Sequence, residues 1–110
     1  MRNLTVCVND QPVFEYDCAI KLDDHQLAFL DKMDSDMDRG VKIAGELMTK
    51  PDVRQKATFV VMNLLRAMKQ DDDARMSVYC AYVCRRLPHV VEVHARDRDN
   101  RIDIEFVDEH

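Results

Sequence analysis

Two cysteines on one predicted helix, Cys80 and Cys84, are the residues whose type and spacing most directly suggest chemistry. Side chains four positions apart are neighbours on a helix, so two thiols at this spacing could share a metal ion or form a redox pair. His89 and His94 follow closely and would complete a set of two sulfur and two nitrogen ligands. A metal- or redox-active thiol protein is therefore the alternative function that the sequence leaves open.

The spacing of these four residues argues against a zinc site. Only four residues separate Cys84 from His89, whereas a two-Cys, two-His finger has roughly 12 at that point. His89 and His94 lie five positions apart, so in a regular strand they would face opposite sides. Cys80 and Cys84 share a helical face with apolar neighbours, and small thiols are common in protein cores. We expect both to be buried core thiols, with no metal ion and no cofactor.

The acidic stretch 34–38 resembles the start of a calcium-binding EF-hand loop. If Asp34 is the first loop position, the glycine position holds Arg39 and the final glutamate position holds Gly45. Both departures remove an essential feature of the loop, so the sequence does not predict a calcium site. Some of the acidic residues instead fall at helical spacing, opposite the apolar face. We expect them to form a solvent-exposed flank of Asp31, Asp34 and Asp38.

Motifs for nucleophilic or phosphate chemistry are absent from the sequence. It contains no GxSxG, GxxxxGK or GxGxxG pattern, and its two glycines are too few for a phosphate loop. Cys7 or Cys18 paired with His25 would make a thiolate pair only if the fold brought them together. We therefore expect a protein that is not an enzyme and has no catalytic residues.

Length and composition favour one domain that spans residues 1–110. A chain of 110 residues that is 46% hydrophobic can build one core. No apolar run, such as residues 59–62, approaches the ~20 residues that span a bilayer, so we expect no membrane association. The first residues lack a secretory hydrophobic block, which favours a cytoplasmic location. In that reducing compartment we expect four free thiols, at Cys7, Cys18, Cys80 and Cys84.

The charge distribution disfavours nucleic acid as a partner. The formal net charge is −5, so we do not expect a general electrostatic attraction between this protein and phosphates. Acidic residues interrupt the cluster of arginines around the last predicted strands, and a glycine-rich RNA-binding loop is missing. The arginines of this cluster are Arg85, Arg86, Arg96, Arg98 and Arg101.

Alternating apolar residues near the N-terminus predict a β-hairpin. A loop over residues 10–12 would place Val8 opposite Phe14 and Val6 opposite Tyr16. A loop one residue shorter would instead set Val6 against a glutamate, so we prefer the first register.

Three helices are predicted between this hairpin and a second one. Apolar residues at spacings of three and four predict a first helix over residues 24–49. Gly40 and Gly45 each cost a helix interior roughly 1 kcal/mol relative to Ala, so a break near Gly40 into two shorter helices is the alternative. A capping box at residues 49–52 would begin the second helix. The aspartate run that follows it would cap a third, strongly apolar and central helix, which ends at Pro88.

A second predicted hairpin closes the chain, and charge fixes its register. A turn centred on residues 99–100 pairs Arg96 with Asp103 and His94 with Glu105, whereas a longer loop would set like charges against each other. The helices must cover the apolar residues of this hairpin: Val93, Ala95, Ile102, Ile104 and a buried Phe106.

These elements, in the order ββαααββ, predict an α+β fold. The two hairpins would form one four-stranded antiparallel sheet, packed on the three helices. Most of the seven methionines fall in the predicted helices, where flexible thioethers can fill a core or adapt to a partner. We therefore expect a small non-enzymatic protein-interaction or regulatory module that self-associates as a homodimer.

Overall fold

The computed structural model describes residues 2–43, 45–99 and 101–109, and in these the chain has the predicted α+β class. The described residues form three helices and six strands, two strands more than predicted. The helices are α1 (Asp24–Met37), α2 (Val53–Lys69) and α3 (Asp73–Arg86). The strands are β1 (Asn3–Val8), β2 (Gln11–Asp17), β3 (Val41–Ile43), β4 (Glu46–Met48), β5 (Val90–Arg98) and β6 (Arg101–Asp108).

The N-terminal hairpin is present, but its register differs from both predicted ones. Residues 9–10 form its turn with φ values of 50° and 69°, a left-handed conformation that an Asn-Asp pair tolerates. Val6 therefore pairs with Phe14 and Leu4 with Tyr16, and a bulge after Val6 absorbs one residue. Because the shift from the preferred register is an even number of positions, Phe14 and Tyr16 keep the predicted face.

The predicted helix over residues 24–49 is wrong in its second half. Gly40 has a φ of 115° and Gly45 a φ of 80°, conformations that end a helix and that L side chains rarely adopt. The segment after Gly40 turns back on itself as the β3–β4 hairpin, in which Val41 pairs with Met48. The alternative of two shorter helices is therefore wrong as well.

An aspartate directly before the first residue caps each of the helices α2 and α3. The Asp52 carboxylate accepts a hydrogen bond from the Gln55 backbone N–H at 2.8 Å, and the Gln55 side chain accepts one from the Asp52 N–H at 2.9 Å. The capping box therefore starts at Asp52, and the predicted one at residues 49–52 is wrong. Asp72 caps α3, which ends at Arg86, ahead of Pro88 as predicted.

The four-stranded sheet has the order β2-β1-β5-β6 and is mixed. Its outer pairs are the two antiparallel hairpins, but the central strands β1 and β5 run parallel, so the predicted fully antiparallel sheet is wrong. Parallel neighbours need a long crossover, and the helices between β2 and β5 supply it. Strand β2 lies at the edge, where Pro12, which has no N–H to donate, is tolerated.

The register of the C-terminal hairpin is confirmed. His94 pairs with Glu105 and Arg96 with Asp103. The same register sets Phe106 against the buried Val93. Phe106 itself is half-buried rather than buried, because β6 is an edge strand and the helices cover it only in part.

Helices α2 and α3 cover one face of the sheet. Leu4, Val6 and Val93 are fully buried in the cluster that includes Leu64 of α2 and Val83 of α3. Side chains alternate along a strand, so the residues between these apolar ones lie on the opposite, open face. Among the described residues, none of the helices combines the length and apolar character that crossing a bilayer requires.

Candidate functional site

A disulfide joins Cys18, which follows β2, to Cys84 in the last turn of α3. The two Cα atoms are 5.6 Å apart, although 66 positions separate the residues in the sequence. The expectation of four free thiols is therefore wrong for this pair. The sequence offered no signal for the pairing, because only the tertiary contact between the β2 segment and α3 brings the two residues together.

Cys80 is the buried core thiol that the sequence predicts. Its side chain is fully buried one turn before Cys84, and burial raises the pKa of its thiol from 9.0 to about 12. A thiol with this pKa stays protonated near neutral pH, so it is a poor nucleophile and a poor metal ligand. The predicted alternative, a redox pair of Cys80 and Cys84, is wrong, because the disulfide partner of Cys84 is Cys18.

The two histidines do not complete a ligand set with these cysteines. His89 is exposed in the loop after α3, and His94 lies in β5 beside Cys7 of β1. Within residues 2–43, 45–99 and 101–109, the structure contains no group of three or more His, Cys, Asp or Glu side chains able to hold a metal ion.

A cleft of about 370 Å³ opens beside the disulfide. Cys18 is half-buried, whereas Cys84 is only 7% exposed, so Cys18 is the more exposed residue of the pair. The rest of the lining is apolar apart from two cationic side chains and one phenol. The lining includes Tyr16, Ile20, Lys21, Leu22, Arg85 and Pro88.

A second constellation, Cys7, His94 and Glu92, lies on the open face of the sheet. The register sets Cys7 beside His94, and His94 Nε2 lies 3.1 Å from Glu92 Oε2. Sequence reasoning paired Cys7 or Cys18 with His25 instead, but His25 is exposed in the first turn of α1. Burial, Glu92 and Asp10 all raise the pKa of Cys7. The thiol form is therefore favoured, and this group does not supply an activated nucleophile.

Of the predicted solvent-exposed flank, Asp31 and Asp38 are exposed, but Asp34 is partly buried. The Asp34 carboxylate accepts hydrogen bonds from Tyr82 Oη and from Arg86 Nε, at 2.5 and 2.8 Å. Lys56 Nζ lies 2.5 Å from Asp38, and Arg86 also bonds to Asp31 at 3.0 Å. Because Lys56 belongs to α2, and Tyr82 and Arg86 belong to α3, these contacts hold α1 against both helices.

Two arginines of the predicted cluster, Arg86 and Arg96, lie beside carboxylates. Arg86 is bonded to Asp34, and Arg96 lies 3.4 Å from Asp10 and 3.9 Å from Glu105. The side chain of Arg98 lies outside the described part of the structure.

An apolar groove of about 290 Å³ lies at the end of the sheet where both long hairpins turn. Helix α2 ends at Lys69 and leaves the last row of the sheet uncovered. Val13 and Ile102 are 46% and 39% exposed there. Lys69 and Asp97 are the two charged residues of the lining. Its apolar residues are Val8, Val13, Leu65, Met68, Ala95 and Ile102.

Sequence reasoning did not identify this groove. Each of its apolar residues belongs to an ordinary apolar pattern, and only the end of α2 at Lys69 makes them a shared surface. A comparison with family models, curated proteins and solved structures finds no match to this chain.

Proposed function

We propose that this chain is a non-enzymatic protein-interaction module that assembles with a second copy of itself through the apolar groove. The observation that carries the proposal is the groove lining, six apolar residues with one cation and one anion. Val13 and Ile102 leave large apolar side chains in water at its rim. Covering them would remove apolar surface from water, the main favourable term in association.

The charges of the groove favour a second copy over an unrelated partner. A twofold interface brings the same patch of both subunits together, so it must be complementary to itself. Lys69 and Asp97 give the groove one charge of each sign. A twofold axis between them would set each lysine against the aspartate of the other copy. A groove that carried only one sign of charge would repel its own copy.

A binding role also agrees with the state of the thiols. Cys80 is buried and protonated, the pKa of Cys7 is raised, and Cys18 and Cys84 are joined in a disulfide. None of these four supplies a resting thiolate nucleophile. A cytoplasmic location stays a prediction, and a disulfide in that compartment would be transient, because cellular reductants keep most thiols reduced there.

Light scattering across a concentration series tests the proposal. We expect the molar mass to rise from that of one chain towards twice that value as concentration increases. Ile102→Asp places a charge in the apolar groove and should keep the chain monomeric. Leu47→Asp is the matched control, because Leu47 is 57% exposed on β4, which contributes nothing to the groove lining. A wild-type mass that stays at one chain throughout, or equal association of both variants, would contradict the proposal.

A further inference from the structure

We propose that the Cys18–Cys84 disulfide is a site of thiol–disulfide exchange for a small thiol that carries carboxylates, the chemical class of glutathione. The disulfide lines a cleft of about 370 Å³, large enough to admit part of a peptide-sized molecule. Both cysteines of the disulfide line this cleft.

Access decides which sulfur is attacked. Exchange requires a thiolate to approach one sulfur along the line of the S–S bond, so a shielded sulfur reacts slowly. Cys84 is 7% exposed in the last turn of α3, and Cys18 is half-buried in the loop after β2. The incoming thiolate therefore bonds to Cys18, and Cys84 is the leaving group.

Charge decides which thiol is favoured. The charged side chains of the cleft lining are Lys21 and Arg85, and both are cations. They attract a thiol whose carboxylates give it a net negative charge and repel one with a net positive charge. The same two cations stabilise the negative charge of the attacking thiolate.

The exchange proceeds in two balanced steps. A first small thiolate forms a bond to Cys18 Sγ while the Cys18–Cys84 bond breaks, and Cys84 leaves with the electron pair and takes a proton from water. A second small thiolate attacks the small-molecule sulfur of this mixed disulfide and releases Cys18, which is protonated in turn. The protein gains two electrons and two protons, and two small thiols are oxidised to one disulfide.

The fold around the site is held independently of the disulfide. The Arg2 guanidinium donates hydrogen bonds to the carbonyl oxygens of Cys84 and Leu87, at 2.9 and 2.8 Å. The end of α3 therefore remains fastened to the N-terminal segment after the disulfide opens. Cys80 stays out of the exchange, because burial keeps it protonated.

The test compares an anionic thiol with a cationic one on the full-length oxidised protein. The probes are reduced glutathione and cysteamine, with rates expressed per thiolate and adducts located by peptide mass mapping. We expect the first adduct on Cys18. We also expect the ratio of the glutathione rate to the cysteamine rate to be about fivefold higher in the wild type than in the Lys21→Gln/Arg85→Gln variant. This factor corresponds to the interaction of one close charge pair in water.

A second double variant, Lys32→Gln/Arg39→Gln, removes the same charge from exposed positions outside the cleft and should keep the wild-type ratio. Cys80→Ala should also keep the wild-type rates. Circular dichroism identifies a variant that has lost its fold, and the site of the first wild-type adduct needs no variant at all. A first adduct on Cys84, equal ratios in both double variants, or free Cys18 and Cys84 thiols after treatment with an oxidant would overturn the proposal.

Discussion

The Tyr82 hydroxyl of α3 donates a hydrogen bond of 2.5 Å to the Asp34 carboxylate of α1. Tyr82 is fully buried, and the same carboxylate accepts a second hydrogen bond from Arg86. The Arg86 guanidinium also lies 5.6 Å from the centre of the Tyr82 ring, within the range of a cation–π contact. One carboxylate thus satisfies a buried hydroxyl and a partly buried cation, and so fastens α1 to the core.

Removing the donor of this hydrogen bond should destabilise the chain less than removing its acceptor. Tyr82→Phe deletes one hydrogen bond but leaves Asp34 paired with Arg86, so we expect a loss of about 1 kcal/mol. Asp34→Ala leaves both the Tyr82 hydroxyl and Arg86 without their acceptor, so we expect a loss of about 2–3 kcal/mol. Urea midpoints measure both, and the exposed Asp36→Ala is the control on the same helix. Equal losses for the first two variants would contradict this account.

Alkaline pH should weaken the fold through Cys80. Burial raises the pKa of this thiol from 9.0 to about 12, so between these values the unfolded chain loses the proton that the folded chain keeps. The free energy of unfolding therefore falls as pH rises through this window, by about 1.4 kcal/mol per pH unit at most. The free energy of unfolding, measured with urea, should change with pH in the same way for the wild type and Cys80→Ala below pH 9. Above pH 9 it should fall less steeply for the variant. Parallel behaviour throughout would exclude the buried thiol as the cause.

The local parts of the fold were predictable because neighbouring residues encode them. Arg96 and Asp103, or His94 and Glu105, attract only in one register of the C-terminal hairpin, and that register is observed. The apolar stripe of α3 likewise predicted its central position. Gly40 was recognisable in the sequence as a place where the helix could break. That a hairpin follows the break depends on the left-handed backbone at this position.

The non-local relationships were not predictable from the same patterns. The alternation of apolar and polar residues does not show which edge of the N-terminal hairpin pairs with β5. The parallel pairing of Val6 with Val93 therefore has no signal in the sequence. Cys84 had a plausible helical neighbour in Cys80, yet its partner is Cys18 from a loop 66 positions away. The groove beside Ile102 follows from where α2 ends relative to the sheet.

Phe106 should contribute less to stability than a fully buried phenylalanine. A buried Phe→Ala substitution costs about 3–5 kcal/mol, but Phe106 is half-buried on an edge strand, so we expect about 2 kcal/mol for Phe106→Ala. Glu105→Gln, on the opposite face of the same strand, should change the free energy of unfolding by well under 1 kcal/mol. Denaturant midpoints separate the two variants, and equal midpoints would mean that β6 does not pack as described.

Reversing the groove charges should first abolish and then restore self-association. In a twofold dimer the Lys69→Glu variant sets the introduced carboxylate against Asp97 of the second copy at two symmetric points, so like charges replace both attractive pairs. Asp97→Lys sets two lysines together at the same points. We expect each single variant to weaken the dimer about tenfold, because two close like-charge contacts at a solvated rim cost on the order of 1 kcal/mol or more.

The double variant Lys69→Glu/Asp97→Lys carries the same two charges in exchanged positions, so each rim contact again joins opposite signs. Its dimerisation constant, measured by analytical ultracentrifugation, should return to within about threefold of the wild type. Added salt should weaken the wild type and the double variant alike, and it should strengthen the single variants, because screening reduces attraction and repulsion equally. A double variant that associates no better than the single ones would mean that Lys69 and Asp97 do not face each other across a twofold axis, and the apolar groove would then need a different occupant.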